Sequence, residues 1–290
     1  MNRLVLTATA LLSLSVVGTA NAADMGMPTK APIMAPPPAF NWTGFYIGGN
    51  VGGGWGNLST SSTDTDAFGV ATFSGSEALS GLLGGGQIGF NYEFPNQWVI
   101  GVEADGDWAN ITGALSGCST VVSVTSPLLA GSIGKPSACV TSNSTLQDFG
   151  TVRGRLGYAW NNVLLYGTGG WAWGNSSSTN TVTCASTFVT TCPTVFPFMG
   201  GVNTFSNTLS GWTAGAGVEW GFLPNWTVRV EYLHLEFDNI ATNYTGAITF
   251  LNTPTLPFTH VGSSNLGVDM VRVGLNYLFN WGSAPSATRY

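Results

Sequence analysis

Along most of this chain hydrophobic and polar residues alternate one for one. In FNWTGFYIGGNVGGGWG, residues 40–56, Phe45, Ile47, Val51 and Trp55 fall on one parity, while Tyr46, Asn50 and several glycines take the other. From Gly81, GLLGGGQIGFNYEF sets Leu82, Ile88, Phe90, Tyr92 and Phe94 against Gln87, Asn91 and Glu93. After PNQ, WVIGVEADGDW sets Trp98, Ile100 and Val102 against Glu103, Asp105 and Asp107. Period two broken by a turn of two or three residues predicts a β-hairpin.

The pattern returns three more times. FGTVRGRLGYAW opposes Val152, Leu156, Tyr158 and Trp160 to Thr151, Arg153 and Arg155; Asn161 and Asn162 then lead into VLLYGTGGWAWG, whose parity is mixed. GWTAGAGVEWGF and WTVRVEYLHLEF flank the turn LPN. The last strand, VDMVRVGLNYLF, sets Val271, Val273, Leu275, Tyr277 and Phe279 against Arg272 and Asn276. FPNQWVIGVE and FLPNWTVRVE repeat one another at equivalent places in two hairpins. This predicts eight strands of roughly 10 to 14 residues, long enough to cross a bilayer when tilted. Ten strands result if TVVSV or GAITFL joins the sheet.

Three connections are tight, and four, near residues 57–80, 109–146, 175–209 and 239–266, are long and rich in Ser, Thr, Asn and Gly. Short turns at one end and long loops at the other are the plan of a bacterial outer-membrane barrel with outward-facing loops and both termini in the periplasm. The expected fold class is therefore all-β, an antiparallel up-and-down transmembrane barrel of eight strands. Phe94, Trp98, Trp160, Phe222, Trp226 and Phe279, at strand ends beside tight turns, are the expected aromatic girdle.

Composition sharpens the choice between a lipid-facing and a water-facing barrel. Charged residues make up 8% of the chain, about a third of the usual share. A soluble sandwich or ligand-binding barrel would turn the polar parity outward, and that parity holds too many glycines and too few charges to coat a soluble surface. MNRLVLTATALLSLSVVGTANA, residues 1–22, has a signal peptide's basic start, apolar run and small-residue cleavage site. Residues 23–42, rich in proline, form an extended periplasmic linker; residues 43–281 are the barrel and 282–290 a C-terminal tail. The net charge of −6 and pI near 4.6 argue against nucleic acid as a partner.

The opening FNWTGFYIGGNVG (residues 40–52), the proline-rich lead-in and the closing VRVGLNYLF (residues 271–279) resemble the small outer-membrane β-barrel proteins of alphaproteobacteria, related to opacity-type and OmpA-type barrels. The resemblance implies an eight-stranded barrel, outer-membrane lipid and lipopolysaccharide as surroundings, and the barrel-assembly machinery as a partner during insertion. It implies surface-exposed loops and no single activity, since such proteins are envelope components, surface antigens, adhesins or haemin binders. Chains of this kind usually end at the aromatic residue of the last strand, whereas here NWGSAPSATRY follows Phe279.

Four of the eight basic residues, Arg153, Arg155, Arg229 and Arg272, share the inward parity with Glu93, Glu103, Asp105, Glu219 and Glu231. Buried charges need partners, and strand adjacency pairs Glu103 with Arg153 or Arg155, and Glu231 with Arg272. Three functions compete for this cluster: a plug that fills the lumen, a narrow ion path, and a catalytic rim. LHLEFD sets His234 near Glu236 and Asp238, but no nucleophile motif accompanies it. His234 and His260 are the only histidines, too few at this spacing for a metal or haem site. No enzyme activity, cofactor or metal is expected.

Cys118, Cys139, Cys184 and Cys192 lie in the second and third long connections, outside the expected strands. Export favours disulfides. Three pairings are open, and proximity favours Cys118 with Cys139 and Cys184 with Cys192. Long stapled loops on a rigid scaffold also suit host or phage ligands. The expected function is a structural, surface-exposed envelope protein, with a small passive pore and then an adhesin or ligand-binding protein as alternatives.

Overall fold

A computed structural model describes residues 40–66, 69–118, 120–124, 137–185, 201–248 and 256–279. The expected signal peptide, the linker up to residue 39 and the tail lie outside them. All regular structure among these residues is β: β1 (Gly44–Asp66), β2 (Gly69–Glu93), β3 (Trp98–Cys118), β4 (Thr120–Val124), β5 (Ser137–Trp160), β6 (Val163–Ala185), β7 (Gly201–Leu223), β8 (Trp226–Phe237), β9 (Ile240–Ile248) and β10 (Leu256–Phe279). Eight of them close an antiparallel ring, β1-β2-β3-β5-β6-β7-β8-β10, which returns to β1 through ladders from Phe45↔Phe279 to Thr65↔Thr259. Closure leaves no backbone edge unpaired in lipid, the condition for crossing a membrane with strands.

The extra strands are β4, which is the TVVSV stretch, and β9, which takes in the first three residues of GAITFL, the other three lying outside the described residues; neither strand enlarges the ring. β4 pairs with the far end of β2, and β9 with the far end of β10. Strand length corrects the sequence reading more strongly. Apart from the 12-residue β8, the ring strands run 21 to 25 residues, not 10 to 14. Much of what reads as loop is paired hairpin: β1 and β2 stay in register from Gly44↔Asn91 to Asp66↔Gly69. Ser and Thr continue a ladder that apolar residues have started, yet they leave no alternating signal to read.

At the other end the tight turns are held by specific bonds. Gln97 and Asn161 take positive φ, 70° and 53°, a backbone state Asn tolerates better than most residues. Asn225 donates from Nδ2 to the Leu278 carbonyl at 2.7 Å, tying one turn to the neighbouring strand.

The outer wall is apolar and bounded by two aromatic belts. Near the turns, Phe94, Trp98, Trp160, Phe222, Trp226 and Phe279 all point outward. They join Tyr158 and Tyr277, whose rings meet Trp98 (5.8 Å) and Trp226 (5.2 Å) edge to face. Near the hairpins a second outward belt of Trp55, Trp108, Trp171, Trp212 and Tyr232 appears. On three strands the belts sit ten residues apart: Phe45 to Trp55, Trp98 to Trp108, Trp212 to Phe222. Ten residues at ~3.3 Å each, tilted by ~40°, span about 25 Å, the height of an outer-membrane apolar band.

Candidate functional site

Inside the ring, strict alternation sends short polar side chains and the rare charges inward. Space there is so tight that glycine is required beside the large ones. A Cβ on Gly89 would sit 2.4 Å from the Tyr46 ring, and one on Gly221 would sit 2.4 Å from Phe40.

Nine ionisable side chains meet at mid-height, all buried: Glu103, Asp105 and Asp107 from β3, Arg153 and Arg155 from β5, Glu219 from β7, Arg229 and Glu231 from β8, and Arg272 from β10. Arg272 is the hub. It reaches Glu231 at 2.8 Å, Asp107 at 2.9 Å and Asp105 at 3.1 Å. Arg153 bridges Asp105 at 2.6 Å and Glu231 at 3.1 Å, and also pairs with Glu103. Arg229 pairs with Glu103 across the full width of the lumen, since β3 and β8 are opposite in the ring.

Both strand-adjacent expectations appear, Glu103 with Arg153 and Glu231 with Arg272, but Arg155 turns instead to Glu219 on β7. Its guanidinium lies 3.5 Å from the Tyr166 ring centre, a cation–π contact strengthened by the burial of both side chains. Around the charges runs a neutral shell. Tyr46 donates to Glu103 (2.6 Å), Thr151 to Asp105 (2.8 Å), Asn276 to Glu219 (2.9 Å), and Gln87 links Asn50 to Asn276. Glu93 is not part of the layer; it accepts the Trp42 backbone N–H at the turn end, 3.1 Å away.

Apolar matter closes the lumen on both sides of the charges. Toward the hairpins, Leu83, Ile111, Phe149, Leu233, Leu235, Leu266, Val268 and Met270 are packed in one buried cluster drawn from strands all round the ring. Met270 is the next inward residue after Arg272, and Leu233 the next after Glu231. Toward the turns, Trp42 enters the barrel mouth fully buried, packs with Val99, Ala159, Leu164 and Tyr166, and donates its indole N–H to the Asn161 carbonyl at 3.2 Å. The sequence reading placed apolar residues outside throughout and so missed both layers. The signal was present in WTVRVEYLHLEF. At Tyr232 the apolar parity changes face, leaving Leu233, Leu235 and Phe237 inward and His234 and Glu236 outward.

A matching family model covers residues 9–279 and describes an outer membrane protein beta-barrel domain. The chain belongs to that family. A 31 kDa outer-membrane immunogenic protein of Brucella melitensis is 33% identical over 263 residues, 86% of this chain and 89% of the relative. A 25 kDa outer-membrane immunogenic protein of Brucella abortus is 27% identical over 96% of this chain and 99% of its own length. A 22 kDa outer membrane protein of Rhizobium leguminosarum is 27% identical over 70% of this chain and 67% of the relative. The barrel is therefore an outer-membrane protein of the alphaproteobacterial type that its opening and closing motifs resemble.

The remaining candidate residues fall outside the layer. His234 faces outward beside Trp212, bonded through Nδ1 to Asp269 at 2.8 Å, with Glu236 at 3.6 Å. His260 binds Asp64 at 2.6 Å, far up the hairpins. The cysteines reading is corrected in part: Cys118, Cys139 and Cys184 lie in β3, β5 and β6, because those strands outrun the apolar band. Cys139 is disulfide-bonded, and the β3–β5 ladder puts Cys118 directly across from it. Cys192 lies outside the described residues.

Proposed function

We propose that this protein is a structural, surface-exposed component of the outer membrane whose barrel is solid and does no chemistry. The supporting observation is the order of layers in the lumen: an ion-paired polar layer held between two apolar ones. An ion path needs water-accessible polar groups in continuous succession. Here an ion passing the arginines would meet Met270, Leu233 and Phe149 on one side and Trp42 on the other. A catalytic rim is equally unsupported, because His234 and Glu236 face the lipid side and His234 is held by Asp269 rather than by a nucleophile.

On this reading the tight turns and the Trp42 segment face the periplasm, and the long hairpins face the outside, where immunogenic relatives would present them. Lipid and lipopolysaccharide surround the belts, and the assembly machinery inserts the chain. An epitope inserted after Asp66 is then bound by antibody on intact cells, while one at the Asn161–Asn162 turn is bound only after permeabilisation. Deletion of the gene sensitises cells to detergent. The opposite labelling pattern would overturn the orientation, and unchanged sensitivity the structural role.

A further inference from the structure

Within the membrane the wall is closed, but in the hairpin zone, among the described residues, it opens between β7 and β9. β7 pairs with β8 up to Gly211↔Phe237, and a last bond runs from Asp238 N–H to the Ser210 carbonyl at 2.7 Å. Beyond it the chain re-forms as β9, which pairs with β10 and not with β7. Between the pairs Glu236↔Gly267 and Ile240↔Ser264 four residues advance on one strand against three on β10. That extra residue, at Asp238–Asn239, is a bulge, which bends and twists the strand away from its neighbour. As a result, β7 and β9 lie more than 8 Å apart over nearly all their facing length, against about 4.8 Å for paired strands.

Side-chain exposure independently marks these two edges. In the membrane zone alternate residues of β7 are buried; from Thr204 to Ser206 three in a row are exposed, as are three in a row from Ala241 to Asn243 in β9. Phe205 is half exposed and Val202 two-thirds exposed. Edges of this kind are usually guarded by lysine, inward charge or proline. Residues 201–209, GVNTFSNTL, and 240–248, IATNYTGAI, contain none of these, and both are rich in strand-forming residues.

We propose that the β7 edge over residues 201–209 is a docking site, above the membrane, for an extended and uncharged segment of a partner polypeptide, which adds to the sheet as a further strand. β7 and β9 run in opposite directions, so one inserted strand is antiparallel to only one of them. The β7 edge, with Val202 and Phe205 to cover, is the antiparallel side. Main-chain bonds supply the affinity, and the absence of charge on either edge favours a neutral Ser/Thr/Asn and aliphatic segment over an acidic or basic one.

The test uses the full mature chain refolded in detergent micelles and a synthetic peptide of the sequence IATNYTGAI, compared with the same peptide N-methylated at every amide. Amide hydrogen exchange is followed residue by residue. The expected result is fast exchange at alternate amides of residues 201–209 in the free protein, slowed about tenfold or more by the plain peptide and unchanged by the methylated one. Three outcomes would overturn the proposal. Slow exchange throughout 201–209 in the free protein would mean the chain already covers this edge. Protection that rises with protein concentration alone would mean a second copy occupies it. No difference between the two peptides would mean the main chain is not what binds.

Discussion

Arg272 shows how a barrel this narrow tolerates charge. Its guanidinium is buried, yet three carboxylates from two other strands surround it within 3.1 Å. Removing one partner from such a set costs more than the set contributes, because the remaining charges are left without counter-ions. Arg272→Met, which keeps an unbranched apolar stem and removes the guanidinium, should therefore destabilise the barrel by about 3–5 kcal/mol. Arg272→Lys retains the charge but loses the fork geometry and should fall between. Urea unfolding in micelles, followed by tryptophan emission, measures both. Equal midpoints for wild type and Arg272→Met would show that the network contributes little.

At the same scale, the identity of the charged residues was legible and their partners only partly so. Parity put Arg153, Arg155, Arg229 and Arg272 inside, and adjacency found two of the pairs. The cross-lumen pairs were beyond reach, because Glu103 and Arg229 are 126 residues apart and on opposite walls. Nothing in a strand's own pattern states which strand it faces across a closed ring. Asp107 was on the correct parity and went unassigned for the same reason.

At the scale of elements, apolar alternation reports only the part of a strand that touches lipid. The ten-residue spans between belts were therefore readable, and the paired hairpins beyond them were not. Those extensions are held mainly by ladders and polar side-chain bonds such as Thr60 to Ser264 (3.1 Å) and Ser76 to Asn57 (2.8 Å), with buried contacts only at their base, where Leu58 meets the leucine-rich cluster and Glu77 bonds Ser144. Exposed and half-buried bonds of this kind open at low free energy. Replacing residues 58–77 by a short Asn-Gly turn should thus leave a barrel that still folds and inserts, with heat-resistant migration on a gel unchanged. Failure of that variant to insert would show that the hairpin nucleates the β1–β2 pair rather than riding on it.

At the scale of the whole molecule, the layers act together. The belts fix the barrel's height in the membrane, the ring removes every edge within that height, and Trp42, the ion-paired layer and the leucine-rich cluster follow one another along the lumen between the turns and the hairpins. The inward-facing leucines depart from a uniform alternation of apolar-out and polar-in. The most direct measurement is planar-bilayer conductance of the refolded mature protein. The account predicts no current above the bare membrane at voltages up to about 100 mV, a field that supplies only ~2.3 kcal/mol per charge against two apolar layers. A steady, ion-selective current through the wild-type barrel would contradict it and make the protein a pore.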